Sequence, residues 1–188
     1  MLMNHYSLVT AASNATDAAN TRIFLQQAVD HYPRLVAFSF TLVLQYRETM
    51  TEYRSLILRF HTEVWQRIGE YSWKRQQERR HSPPTLLRWL WEAVSAPECK
   101  MVLLMNLDTL GVERNTHFIE SVQQTMSEIL NDTWQTVTGV DHDAITSITP
   151  IIVNRAGYGT FTTPFNQLTA QVQMMLAPVV TARTGVTG

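Results

Sequence analysis

Between Arg34 and Tyr46 the chain reads RLVAFSFTLVLQY, with Val36, Phe38, Phe40, Leu42 and Leu44 on alternate positions. Ala37, Ser39, Thr41 and Val43 fall between them, so a period of two predicts a long strand with one face firmly in a core. The run from Cys99 to Leu107 predicts a second long strand. The period changes from Thr49 to about Arg80, where Tyr53, Leu56, Ile57, Phe60, Val64, Ile68 and Tyr71 or Ser72 recur at three- and four-residue steps. That stripe predicts a long amphipathic helix.

Shorter helices are expected at four further places. Thr21 to Tyr32 carries Ile23, Phe24, Ala28 and Val29 and is stopped by Pro33. After Ser82-Pro83-Pro84, the segment TLLRWLWEAV reads as a short helix packed through Leu87, Leu90 and Trp91. Val112 to about Trp134 turns Ile119, Val122, Met126, Ile129 and Leu130 inward. Thr163 is an N-cap candidate, with Pro164 at the first position of a helix through FNQLTAQVQMMLAPVV. Residues 138–150 read as a polar loop, and PIIVNRAGYGTF as a short strand with a glycine turn. Strands separated by helices, and few strands in total, predict an α+β fold: one small, mainly antiparallel sheet with amphipathic helices chiefly on one face. Residues 1–20 read as a loosely ordered leader and residues 21–185 as one domain.

Composition narrows the class. The chain has 188 residues, 45% of them hydrophobic, enough to bury a sizeable core. The longest apolar run, Met101 to Met105, is far too short to span a membrane, and the N-terminus has no basic, apolar signal pattern. Cys99 is the only cysteine, which excludes an intramolecular disulfide and fits a reducing cytoplasm. Net charge is −1, but from Gln45 to Lys100 ten basic residues face seven acidic ones, and from Met101 onward three face seven. A basic middle points to an anionic partner; a solvated helix face explains the same small surplus.

No glycine-rich phosphate loop, Gly-x-Ser-x-Gly elbow or His-Glu-x-x-His motif is present. His5, His31, His61, His81, His117 and His142 are scattered, and Asp141-His142-Asp143 reads as a solvated turn rather than a chelate. Trp65, Trp73, Trp89 and Trp91 sit among arginines, an arrangement able to stack bases, although Trp65 and Trp91 fit a core better. Lys74, Arg75, Arg79 and Arg80 are the best nucleic-acid candidates. They equally complement the negative end of their own helix.

Three collinear stretches carry a resemblance: YPRLVAFSFTLVL (Tyr32 to Leu44), LLRWLWEAVSAPECKMVLLMNLDTLG (Leu86 to Gly111) and ILNDTWQTVTG (Ile129 to Gly139). Together they resemble the inovirus-type replication protein family, which includes the YagK/YfjJ-like prophage proteins and is itself similar to rolling-circle initiators. The resemblance implies an initiator- or RRM-like palm. It also implies a His-x-His strand holding a divalent cation and a later tyrosine that attacks a DNA phosphodiester. Carried over, the two histidine positions are Glu98 and Lys100, the tyrosine position is Pro178, and a nearby lysine position is Thr181. An ammonium repels a metal, and proline has no hydroxyl. The polar residues of the first strand are Ser39 and Thr41, and Tyr158 is a glycine-flanked substitute that reads as structural.

The expectation is therefore a non-catalytic, phage- or prophage-encoded relative of an initiator, with no cofactor, no bound metal and no membrane partner. It would bind single-stranded or hairpin DNA through Lys74, Arg75, Arg79, Arg80, Arg88 and Lys100. The alternative is a protein-interaction module, an inhibitor or accessory of a host defence or replication machine. A third expectation is residual metal-dependent nicking through Glu98.

Overall fold

The computed structural model describes residues 20–44, 49–92, 97–112, 116–155 and 162–183. The leader and Tyr158 lie outside the described residues. A first helix, α1, covers residues 20–31 and stops before Pro33. Then follow β1 (Arg34–Val43), α2 (Met50–Gln77), β2 (Leu87–Glu92), β3 (Glu98–Asn106), a 3-10 turn (Leu107–Thr109), α3 (Phe118–Thr138), β4 (Ile145–Asn154), α4 (Thr162–Gln173) and β5 (Pro178–Arg183).

The five described strands form one sheet in the order β4-β1-β3-β2-β5, antiparallel throughout. The first four strands, with α2 and α3 between them, make the β-α-β-β-α-β split unit of ferredoxin-like folds. The expected small α+β fold with an antiparallel sheet is what the chain adopts.

Strand periodicity sorts the side chains into two cores. Val36, Phe38, Phe40 and Leu42 of β1 join Cys99, Met101, Leu103 and Met105 of β3 on one face, under the long helices α2 and α3. Helix α2 begins at Thr49, whose side chain accepts the Glu52 N–H while Glu52 caps Thr49 in return. Its stripe of Tyr53, Ile57, Phe60, Val64 and Ile68 is buried. Phe60 meets Trp134 of α3 edge-on at 5.5 Å and Trp89 of β2 at 6.0 Å. Each such ring contributes about 2–3 kcal/mol through burial. On the opposite face Leu35, Ala37, Val102, Leu104, Ile151 and Val153 are covered by the shorter α1 and α4.

Four local expectations are corrected. Residues 87–92 are a strand, not a helix: Leu87, Trp89 and Trp91 enter the first core while Leu90 enters the second. With both faces buried, alternation disappears from the sequence and helical spacing appears by accident. Helix α3 starts at Phe118 rather than Val112, and rotates Ile119 out to solvent in favour of Phe118 and Trp134. The loop expected over 138–150 ends at Ile145, where β4 begins. Its period is hidden by a bulge against β1 between Ser39 and Thr41, where Ser147 takes a positive φ of 58°. The last helix ends at Gln173, and residues 178–183 form the edge strand β5.

Candidate functional site

The cover of the second face stops at Val102. Beyond it, among the described residues, Glu98 and Lys100 of β3 and Thr146 of β4 are exposed. Thr41 of β1 pairs with Thr146 on one side and Lys100 on the other. Glu92 of β2 lies next to Lys100 and pairs with Pro178 of β5. Lys100, Glu98, Thr146 and Thr149 are exposed, and Ser39 is half-buried with its hydroxyl 2.5 Å from Gln171 Oε1 of α4. The positions that the resemblance assigns to metal and nucleophile thus gather on this open half. Lys100 and Pro178 flank Glu92, and Glu98 lies one step along the same face of β3. Pro178 begins a strand, however, where the resemblance implies a helical tyrosine.

Glu92 decides what Lys100 does. It is buried, and its two carboxylate oxygens accept the Lys100 N–H at 2.9 Å and the Leu176 N–H at 2.7 Å. Those charge-assisted bonds fix the end of β2 to β3 and to the turn after α4. With Glu92 so occupied, the Lys100 ammonium makes no ion pair to Glu92 or Glu98 among the described residues. No group of three His, Cys, Asp or Glu side chains converges as a metal site among the described residues.

Cys99, between Glu98 and Lys100, points the other way. It is fully buried, with the Tyr53 hydroxyl 2.8 Å from its sulfur and 2.6 Å from the Glu92 carbonyl oxygen. Burial pushes its thiol up to about 11, against the pull of the hydrogen bonds from Tyr53 and to Glu92, and burial also raises the Tyr53 phenol. The thiolate needed for nucleophilic chemistry is suppressed there. Nearby, His61 is buried flat against Trp89 at 4.0 Å, with Nδ1 3.3 Å from Thr181 Oγ1. A lone histidine on an α-helical stripe gave no sign of that stacking.

The six basic residues do not form one face. Lys100 stands at the start of β3; Lys74, Arg75, Arg79 and Arg80 lie at the end of α2, beside the turn that follows β3. Six strand steps from Lys100 to Asn106 span roughly 20 Å. Arg88 belongs to neither group. It sits on the face covered by α1, with Nη2 2.9 Å from His31 Nδ1; burial first, then Arg88, lowers the His31 pKa.

The end of α2 closes in a Schellman motif: Arg80 N–H donates to Arg75 O at 2.9 Å and Arg79 N–H to Gln76 O at 3.0 Å. Arg79 therefore takes the left-handed position, φ 60°, that glycine normally fills.

Fold and site together define a class: a small α+β protein on a split β-α-β sheet, with one half of a sheet face left open and polar. No curated protein and no solved structure matches the chain. The family described as "Uncharacterised conserved protein UCP030791" matches residues 8–145, well over half of the chain, and the protein belongs to it.

Proposed function

We propose that the protein is a non-catalytic nucleic-acid-binding relative of phage or prophage replication initiators, acting in the cytoplasm, with single-stranded or hairpin DNA against the open half of the sheet. The observation that carries this is Lys100: an exposed ammonium on the central strand, with no ion pair among the described residues. An ammonium at that place meets a phosphate without a metal. The hydroxyls of Thr41 beside it, and of Thr146 on the next strand, are further donors to a sugar–phosphate backbone. No helix among the described residues is long and apolar enough to cross a membrane.

The test is a salt titration with single-stranded and hairpin oligonucleotides. Wild-type affinity should fall steeply with salt, and Lys100→Ala should reduce the logarithmic slope by about 0.7 for a single strand. Salt-insensitive binding, or none, would remove the proposal. Cleavage with Mg²⁺ or Mn²⁺ that Glu98→Ala abolishes would show that catalysis persists.

A protein partner is the second reading, favoured by apolar exposure beside the same face. Met174 and Leu176 in the turn after α4 are 74% and 66% exposed, and Val180 on the edge strand β5 is 47% exposed. A host or phage protein captured by the wild type but lost with Leu176→Glu, in the absence of DNA, would favour it.

A further inference from the structure

A second site lies at the other end of the sheet, where the last turn of α2 faces the first turn of α3. The two elements enclose a cavity of about 400 Å³ whose polar lining is Tyr71, Arg75, Arg80, His117, Ser121 and Thr125. That is large enough for a small ligand.

Arg75 is the unusual member. It is only 6% exposed, yet among the described residues no carboxylate pairs with it. Its guanidinium lies 5.7 Å from the Tyr71 ring centroid, Nη1 reaches the Tyr71 hydroxyl at a long 3.4 Å, and buried Nε has no hydrogen-bond partner. Burying a cation without an anion is costly, and an orphaned N–H adds to the cost. An anion in the cavity offsets the charge penalty. Across the cavity α3, 21 residues long, begins at Phe118 with His117 as its N-cap and no side-chain capping bond. Its first-turn amides and the positive end of its dipole face an anion's ordinary binding place. A buried guanidinium and the start of a long helix, whose first turn already carries Glu120, approach one cavity from two elements.

We infer that this cavity binds a phosphate group, carried by a phosphorylated small molecule or by the 5′ end of a nucleic acid. Arg75 and Arg80 supply the positive charge, the first turn of α3 supplies amide donors, and Ser121 and Thr125 supply hydroxyls. Arginine's planar fork suits phosphate oxygens better than a lysine would. The inference does not rest on the sheet-face proposal, because Lys100 is at the opposite end of β3.

The experiment is calorimetric titration of the full chain, at fixed ionic strength, with three probes. These are inorganic phosphate, adenosine monophosphate, and a single-stranded oligonucleotide with either a 5′-phosphate or a 5′-hydroxyl. Phosphate-bearing probes should bind, and Ser121→Asp should weaken them roughly tenfold or more by placing a carboxylate at the cavity. That substitution puts an acid in the first turn of a helix at an exposed position, where it favours folding, so lost binding is not lost structure. Arg75→Gln should weaken binding too. Preference for the 5′-phosphorylated oligonucleotide assigns the site to nucleic-acid ends; binding of free phosphate or the mononucleotide without that preference assigns it to small molecules. No binding of any phosphate probe at millimolar concentration, or undiminished binding by Ser121→Asp, overturns the inference.

Discussion

Arg79 should be a site where glycine stabilises the protein. It occupies the left-handed position of the Schellman turn at φ 60°, with both diagnostic hydrogen bonds in place. A residue with a Cβ pays about 1–2 kcal/mol there, and glycine pays none of it. Glycine returns about 0.4–1 kcal/mol of that gain through the greater freedom of its unfolded chain. Replacing Arg79 also deletes a charge, so the comparison that isolates the backbone is Arg79→Gly against Arg79→Ala. Both remove the guanidinium, and only one relieves the strain. The glycine variant should be more stable than the alanine variant by roughly 0.5–1 kcal/mol, worth about 1–4 °C in Tm for a domain of this size. Paired thermal melts and urea titrations, with unchanged m-values, measure it. Equal stability of the two variants would refute the reasoning. If Arg79 is kept for its charge, the more stable glycine variant should also bind oligonucleotides less tightly, a stability–function trade of the usual kind.

Glu92→Ala should cost about 1–3 kcal/mol in denaturant melts, because two part-buried N–H groups lose a charged acceptor; Glu92→Gln should cost less. Tyr53→Phe should cost about 1–2 kcal/mol by removing the donor to the Glu92 carbonyl, with little change in packing. Cys99 should resist thiol reagents at pH 8 except at the rate of unfolding. Its folded pKa of about 11 lies above its ordinary 9.0, so the native state holds the proton longer than the unfolded chain does. Stability should therefore be intact below pH 9 and decline as pH rises from 9 to 11, by about 2 kcal/mol at most, with Tyr53 acting in the same direction. A flat urea midpoint across that range would contradict the burial of both groups.

How much of this was legible in the sequence depended on how many faces each element buries. Strand β1 and helix α2 bury one strong face each, and their periods of 2 and 3.6 read directly. Strand β2 is apolar on both faces, so LLRWLW shows no alternation and its spacing reads as helix. Strand β4 lost its alternation to the bulge at Ser147, and β5 is short, with Pro178 at its start.

The site was legible by half. Glu98 and Lys100 do share the open face, a consequence of i, i+2 spacing on a strand. That Glu92 is spoken for by Leu176, 84 residues away, has no local signal. Neither has the cavity, since Arg75 and Ser121 meet only through tertiary packing of α2 on α3.

The stretches behind the family resemblance have structural employment. Arg34 binds Asp108 at 2.6 Å and Gly111 O at 3.1 Å, and the Tyr32 hydroxyl accepts the Leu86 N–H at 2.6 Å. Asn131 accepts the Ile145 N–H, and Gly139 ends α3 at φ 75°. They build a frame, and a frame alone does not carry an activity.

The strand order has a kinetic consequence. Strand β1 pairs only with strands that follow α2: Leu35 with Asn106 of β3, and Arg34 with Asn154 of β4. During synthesis, α1, β1 and α2 leave the ribosome before β3 and β4, the described partners of β1, so Phe38, Phe40 and Leu42 await them. The β2–β3 hairpin is the first pairing that chain order allows, and β1 must then close a loop spanning all of α2. Until residue 106 emerges, the first half of the protein depends on α2 to shield its strand.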